Sequence, residues 1–469
     1  MRVSEGARDV PNARPVRAAR RPYPHRMNDT PAGNAQGADA PRSEARSTKG
    51  ALGIVWLVVF IDLLGFGIVL PVMPRQVGPY LDYLGFASNS AARGAVIGVL
   101  FSVFSLMQFV FSPVWGRISD RIGRRPVLLI SLLGSVVFYA IYGFAVSLDA
   151  TQAELAIGLM LLARIGAGIA GASVGTAAAV IADCTTPEKR AKGMALIGIA
   201  FGAGFTFGPL IAYFGLELFA QEPWGVGALA SGLSLVALLI ALFVFKETRD
   251  PNNKAGKEFF SVAKSMEVLK MPTVGALVLI YFLAIFAFAN FEATLALFTK
   301  DVLEMKNNRD NFLVFAMVGA VLTFAGGAYR PMVKKRSEEK LLRAGVGLMI
   351  LGLAAIGMIA MVAHAQQTNE GTVQLTQLKV AFYVAISVSV IGFAFVNPSI
   401  SALVSKRSDP ARQGEVLGVN QAFASLGRIL GPFLGLVLFQ AESSRTLPYV
   451  AAVLTLLVVS ALLPRVKAP

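Results

Sequence analysis

The chain has 469 residues and a formal net charge of +15, with 43 Lys and Arg residues against 28 Asp and Glu residues. Hydrophobic residues make up 55% of the sequence and charged residues 15%, whereas soluble domains are roughly 45–50% apolar and about 25% charged. This composition excludes an ordinary soluble domain. It also argues against binding to nucleic acid, which requires a basic face on a soluble fold.

The first 50 residues are rich in Arg, Pro, Ala and Gly and contain few large aliphatic residues. A segment of this composition cannot bury enough apolar surface to fold on its own. We therefore predict a disordered cytoplasmic tail over residues 1–50.

After the tail, the apolar residues fall into twelve long runs that are nearly free of charge. A helix of about 20 apolar residues crosses a hydrocarbon core about 30 Å thick, and continuous runs differ from the alternating pattern of a β-barrel. We predict an all-α membrane protein with twelve transmembrane helices, numbered as spans 1 to 12 in chain order. The spans cover residues 52–73, 94–115, 127–147, 155–182, 193–216, 225–245, 274–299, 312–329, 341–363, 380–404, 415–440 and 447–463.

The distribution of Lys and Arg indicates the orientation of these spans. With a cytoplasmic N-terminus, 24 of these residues fall on the inner side of the spans and 7 fall on the outer side, apart from the tail. Positively charged loops stay on the cytoplasmic side of a membrane. We therefore predict a multi-pass protein of the cell (inner) membrane with both termini in the cytoplasm.

The chain contains an internal repeat. TPEKRAKGMALIGIAFGAGFTFGP begins at Thr186, DPARQGEVLGVNQAFASLGRILGP begins at Asp409, and one offset of 223 residues relates them. Both segments end in a GxxxGP motif, and small residues four positions apart allow helices to pack closely in lipid. We assign this packing role to Gly204, Gly208 and Pro209 and to Gly427, Gly431 and Pro432.

The repeat predicts two pseudo-symmetric six-helix bundles, which is the architecture of secondary transporters. The predicted domains are an N-terminal bundle at 51–245, a cytoplasmic linker at 246–272, a C-terminal bundle at 273–463 and a cytoplasmic tip at 464–469.

Three motifs resemble those of a known family: GRISDRIGRRP between spans 2 and 3, ARIGAGIAG in span 4 and GAGFTFGP in span 5. Over residues 51–463 the chain resembles the drug:proton antiporters of the major facilitator superfamily, and within them the tetracycline exporters. The resemblance suggests that the glycines of span 5 also prevent proton leak. Tetracycline exporters carry carboxylates in spans 3 and 9, whereas this chain has none there, so the resemblance does not extend to tetracycline as the substrate.

The resemblance implies a conformational latch in the loop between spans 2 and 3. In the family, the aspartate that matches Asp120 bridges to the other half, and an arginine near Arg124 engages an acid, here Asp183. These contacts form when the cytoplasmic side is closed and so bias one conformation. The alternative is that the loop charges only fix the topology. The latch residues are Gly116, Asp120, Arg121, Gly123, Arg124, Arg125 and Asp183.

Four charged residues lie inside the predicted spans: Asp62 in span 1, Arg164 in span 4, Glu292 in span 7 and Arg428 in span 11. A charge at the centre of a membrane costs at least ~2.5 kcal/mol and by default is functional and paired. We predict that Asp62 and Glu292 carry protons and that Arg164 tunes the proton affinity of Asp62. A structural counter-ion is the alternative for each arginine.

Polar groups in spans 7, 10 and 11 are candidates for lining a substrate cavity. They are Asn290, Asn397, Asn420, Gln421 and Arg428. The chain has one cysteine and two histidines and lacks a Walker-type phosphate loop, so we expect no metal, no cofactor and no enzymatic site.

These features favour a secondary active transporter that exports a lipophilic small molecule in exchange for protons by alternating access. Its expected partners are the small-molecule substrate, protons and the lipid bilayer, and we expect a functional monomer that binds no nucleic acid. Proton-coupled uptake of a small metabolite is the first alternative. A non-transporting membrane scaffold or receptor is the second, and the intramembrane carboxylates argue against it.

Overall fold

The computed structural model describes residues 40–185, 187–249, 262–368, 375–409 and 412–466. Most of the predicted tail, the middle of the predicted linker and the end of the predicted tip lie outside the described residues. The chain divides into two units, Met1–Glu44 and Ala45–Pro469. Of the first unit the structure describes only the beginning of a helix, and the following description concerns the second.

Helices account for nearly all of the described residues, and no strand occurs among them. A helix satisfies its backbone hydrogen bonds internally, as a segment surrounded by lipid must. The α-helices in the described part of the chain are α1 (Ala40–Val69), α2 (Met73–Tyr83), α3 (Ala91–Ile122), α4 (Arg124–Val146), α5 (Ala153–Ala170), α6 (Val174–Asp183), α7 (Pro187–Leu218), α8 (Gly225–Val244), α9 (Val262–Lys270), α10 (Pro272–Asp301), α11 (Asn308–Val333), α12 (Glu338–Thr368), α13 (Leu375–Arg407), α14 (Gln413–Ala441) and α15 (Leu447–Leu462).

Eleven stretches of the described residues are long and apolar enough to cross a membrane. They coincide with spans 1 to 4 and 6 to 12, and span 4 consists of α5 and α6 joined by the short 3₁₀ helix Gly171–Ser173. Predicted span 5 falls within α7, many of whose side chains lie outside those described. The all-α membrane fold predicted from the sequence is therefore confirmed. Helix α1 begins at Ala40, so the last residues of the predicted tail are helical.

The GxxxGP motif of α7 packs against α1. A Cβ added to Gly204 would lie 2.8 Å from Leu63 Cβ, and one added to Gly208 would lie 2.7 Å from the carbonyl carbon of Gly67. The two helices therefore approach through backbone contacts that only glycine permits.

The second GxxxGP motif makes the equivalent contact in the other half, between α14 and α10. A Cβ added to Gly427 would lie 3.0 Å from the Phe286 nitrogen, and one added to Gly431 would lie 3.1 Å from the Asn290 nitrogen. Both members of each pair stand 223 residues after their counterparts in the first half. The offset read from the sequence thus relates packing contacts as well as motifs.

The two halves meet along two helix pairs, α3 with α14 and α7 with α11. One hydroxyl crosses each pair to a backbone carbonyl: Ser102 Oγ donates to Ile429 O at 2.6 Å, and Thr206 Oγ1 donates to Gly319 O at 3.0 Å. Thr206 and Ile429 are again 223 residues apart. These contacts lie at equivalent points of the two halves.

The packing of α14 predicts unequal effects of adding one methyl group at two of its glycines. A Cβ at Gly431 would lie 2.7 Å from Phe286 O, whereas a Cβ at Gly418 would have no atom within 4 Å. We expect Gly431→Ala to destabilise the protein by about 1–3 kcal/mol through overpacking, and Gly418→Ala, the matched control, to be neutral or slightly stabilising. Thermal melting of the detergent-solubilised chain measures both, and equal melting temperatures would contradict the packing described here.

Candidate transport site and its two ends

The two ends of the bundle differ in how the halves contact each other. We call the end that carries Gly116–Arg125 the inner end and the opposite end the outer end, following the predicted orientation. At the inner end, each ion pair between described residues of the bundles stays within one half. At the outer end, side chains of each half hydrogen-bond to the other half. The structure is therefore closed at its outer end.

Arg124, the first residue of α4, is the centre of the latch. Its guanidinium contacts Asp183 at the end of α6 (Nε–Oδ2 3.0 Å) and Asp120 near the end of α3 (Nη1–Oδ1 2.5 Å). It also donates from Nη1 to Ser119 Oγ at 2.6 Å. One buried side chain thereby joins three helices of the N-terminal half, and the pairing of Arg124 with Asp183 is the one that the family resemblance implies.

Asp120 pairs with Arg124 within the N-terminal half rather than with the other half. The bridge expected from the resemblance belongs to a form that is closed at the cytoplasmic side, and this structure is closed at the opposite end. Consistent with that, a Cβ added to Gly116 would meet open space.

A carboxylate that the sequence analysis missed completes the latch. Glu247, in the segment after α8, accepts hydrogen bonds from the backbone N–H groups of Arg124 (2.9 Å), Arg125 (3.0 Å), Thr248 (3.0 Å) and Arg249 (2.9 Å). Two of these donors lie at the start of α4, where N–H groups lack partners within the helix and a negative charge is favourable. Glu247 therefore caps a helix that begins 123 residues earlier.

Gly123 is the residue that makes room for this cap. Its φ of +108° lies in the region that favours glycine, and an added Cβ would lie 2.4 Å from Glu247 Oε2. Two further hydrogen bonds hold the segment in place: Arg249 Nη1 donates to Arg121 O, and Arg125 Nη2 donates to Leu242 O, both at 2.7 Å. The beginning of the predicted linker is thus fixed to the latch.

The C-terminal half has ion pairs of reversed polarity at its inner end. Glu338 and Glu339, at the start of α12, pair with Lys406 and Arg407 at the end of α13. In the N-terminal half the base starts the first helix and the acid ends the second, so the charges are exchanged. Each half therefore holds its own inner loops.

At the outer end, Arg75 of α2 reaches across to the C-terminal half. Its guanidinium donates to Met305 O at 2.9 Å, Thr299 Oγ1 at 3.0 Å and Ala296 O at 3.2 Å. Carbonyls at a helix C-terminus lack N–H partners within the helix and favour a cation. Burial lowers the pKa of Arg75 to about 10, against nearby Asp301 and Asp310, which raise it, so the side chain remains charged at neutral pH.

Two other side chains close the same end. Asn311 Nδ2 of α11 donates to Pro71 O at 2.8 Å, and Arg445 Nη2 donates to Ser88 O at 3.2 Å. Both cross from the C-terminal half to the N-terminal half, opposite in direction to Arg75. The outer closure therefore depends on cationic and amide donors that bind neutral acceptors.

The structure places three of the four intramembrane charges, and the side chain of Asp62 in α1 lies outside the described residues. Arg164 is buried in the N-terminal half, donates to Leu100 O at 3.1 Å and lies 4.6 Å from the centroid of the Phe104 ring. Glu292 of α10 and Arg428 of α14 interact electrostatically. Both retain accessible surface.

The polar cavity candidates fall into two groups. Asn397 accepts a hydrogen bond from Tyr281 at 2.7 Å, and both Asn397 and Gln421 retain accessible surface. Asn290 and Asn420 are buried. Asn290 does not line an open cavity in this form, because α14 packs over it at Gly431 and Gly435.

The fold and these end contacts define a multi-pass membrane transporter built from two similar halves. A family model described as Major Facilitator Superfamily matches residues 55–371 and 371–469. The chain belongs to this superfamily, and it is a transporter of a small molecule.

Individual relatives agree with this assignment. The chain is 29% identical to the tetracycline resistance protein, class E, of Escherichia coli, over 82% of this chain and 87% of that one. It is 27% identical to major facilitator superfamily domain-containing protein 10 of Bos taurus, over 90% and 95% of the two chains. The crystal structure of the human organic anion transporter MFSD10 has a TM-score of 0.62 at 22% identity and covers 89% of this chain and 99% of its own. That likeness shows the same two-bundle fold.

The Glu247 cap predicts a pH-dependent contribution to stability. Burial alone would raise the pKa of Glu247, but its four backbone hydrogen bonds outweigh this effect and lower the pKa. A group with a lowered pKa stabilises the fold above its unfolded pKa of about 4.3 and loses this contribution as the pH falls through its folded pKa. Glu247→Gln should lower the melting temperature at pH 7 by roughly 2 °C, and the difference from wild type should shrink below pH ~4.3.

The control for this prediction is Glu217→Gln at the outer end of α7, where the carboxylate is exposed. That variant should melt like the wild type at both pH values. A Glu247→Gln deficit that is absent at pH 7, or that grows at low pH, would contradict the capping role.

The outer closure predicts that removing the Arg75 guanidinium opens the outer end. Leu436 of α14 is buried against Gly94 of α3, so a cysteine at position 436 in a Cys184→Ser background reports separation of these helices. We expect Arg75→Gln to raise the labelling rate by a membrane-impermeant maleimide several-fold. Arg309→Gln removes the same charge from an exposed site and should leave labelling unchanged. Equal rates in all three proteins would show that Arg75 does not hold the closure.

Proposed function

We propose that the protein is a proton-coupled exporter of a lipophilic small molecule, located in the inner membrane with both termini in the cytoplasm. The observation that carries the proposal is Glu292, a carboxylate in the middle of a span that retains accessible surface and has no ion-pair partner within 4.0 Å among the described residues. A membrane-embedded carboxylate is costly unless it has a function. Reversible protonation is the function that such a group can perform in a transporter.

Coupling requires that the carboxylate meet each side of the membrane in turn. The structure is closed at its outer end by Arg75, Asn311 and Arg445. Rocking of the halves about the contacts at Ser102 and Thr206 would break those outer bonds and expose the centre to the other side. Because the inner ion pairs stay within one half, each half can move as a rigid body.

Two features support a small organic cargo and export. The GxxxGP motif of α7 matches the antiporter signature, and relatives over most of the chain are named as tetracycline resistance proteins. We assign proton exchange to Asp62 in span 1 and to Glu292 in span 7, one carboxylate in each half. Uptake by symport is the outcome that an imposed pH gradient would distinguish from export.

The proposal predicts a selective loss of coupling when either carboxylate is neutralised. Asp62→Asn keeps size and hydrogen bonding but removes a proton site, so uphill export driven by a pH gradient should fall at least tenfold while downhill exchange remains. Glu292→Gln should fall as far if the two carboxylates share the proton work. The measurement is efflux of the substrate from proteoliposomes, with the exposed Glu154→Gln as the control. Full proton-driven export by both variants would refute the assignment.

A further inference from the structure

A carboxylate and a guanidinium face each other in the C-terminal half without forming an ion pair. Glu292 and Arg428 interact electrostatically, yet no ion pair within 4.0 Å joins them. Among the described residues, Arg428 donates one side-chain hydrogen bond, to Ser425 Oγ at 3.0 Å. A guanidinium has five N–H donors, so most of its donors remain available to a ligand.

The surroundings of this pair are partly aromatic and partly polar. Phe288 of α10 and Phe393 of α13 stack with their centroids 3.8 Å apart. Each ring stands four residues, or about one helical turn, before a polar group of the same helix, Glu292 or Asn397. The Tyr281 hydroxyl donates to Asn397 at 2.7 Å. Charged and neutral polar groups thus lie beside an apolar surface, as in sites for amphipathic small molecules.

The charge arrangement favours one class of ligand. Two opposite charges that are removed from water and do not pair each require a partner. A singly charged ligand would satisfy one of them and meet a like charge at the other. A ligand with both charges satisfies Glu292 and Arg428 together and leaves the net charge of the site unchanged.

Resting on the proposed function, we infer that Glu292 and Arg428 form the two poles of a site for zwitterionic amphiphiles. The ammonium of the ligand binds the Glu292 carboxylate, and its anionic group binds the Arg428 guanidinium. The ammonium can bind only when Glu292 is ionised, so substrate and proton compete for the same carboxylate. This competition is the relation that exchange of substrate for protons requires.

A matched set of three fluorescent probes tests the charge requirement. Norfloxacin carries an ammonium and a carboxylate near pH 7.4, its ethyl ester keeps only the ammonium, and its N-acetyl derivative keeps only the carboxylate. Affinities are measured by fluorescence anisotropy on the purified full chain in detergent. We expect norfloxacin to bind at least about tenfold more tightly than either derivative, the equivalent of one lost ionic contact.

Variants assign each pole. Arg428→Gln should reduce norfloxacin binding to the level of the ester without weakening the ester, and Arg428→Lys should restore part of the preference. Glu292→Gln should reduce norfloxacin binding to the level of the N-acetyl derivative. Thr455→Ala, whose hydroxyl bonds to Ala451 O of its own helix, is the control and should bind all three probes like the wild type.

The inference is overturned if the wild type binds the three probes equally or binds none of them. It is also overturned if a pole variant that melts like the wild type weakens all three probes equally. Binding in detergent needs no pH gradient. Charge discrimination without proton-driven transport would therefore refute only the proposed function, and proton-driven transport without discrimination would refute only the zwitterion site.

Discussion

Lipid provides no hydrophobic force that drives one apolar helix against another, and the rest of this structure depends on that constraint. Helices must gain contact through van der Waals packing and backbone approach, which is why the closest contacts occur at Gly204 and Gly208 and again at Gly427 and Gly431. These contacts join α7 to α1 and α14 to α10, within each half. The contacts between halves are fewer polar bonds, such as those of Ser102 and Thr206. Strong packing within halves and weaker bonding between them is the mechanical requirement for alternating access.

The polar ends complement this division. Arg124 and Glu247 fix the inner loops of the N-terminal half to one another, and the pairs of Glu338 and Glu339 do the same in the C-terminal half. Arg75 instead bonds to neutral groups of the opposite half. A hydrogen bond from a charged group contributes on the order of 1.5–3 kcal/mol net, and water can replace a neutral acceptor when the halves separate. The outer closure is therefore reversible, whereas the bonds within each half persist.

The sequence predicted the spans, the repeat and the pairing of Arg124 with Asp183, because hydropathy, an exact offset and a family motif each record one of them. It could not predict the acceptors of Arg75, since backbone carbonyls leave no trace in residue identity. Glu247 was missed for a related reason: its partners are N–H groups of residues 123 positions away. Only Gly123 hinted at this contact, and a glycine in a short loop is ordinarily explained by the turn itself. Asn290 was expected in the cavity because its polarity is visible, whereas the helix packed over it is not.

The intramembrane charges balance within each half, since Asp62 and Arg164 belong to the first and Glu292 and Arg428 to the second. When the halves rock, groups within one half keep their distances, so the attraction of Arg428 for Glu292 changes little. Solvent access changes much more, because the centre is wet only on the open side. The field that acts on Glu292 is thus held constant by its own half, and its hydration alternates with conformation. A proton site of this kind can respond to the state of the transporter without any rearrangement of the charges around it.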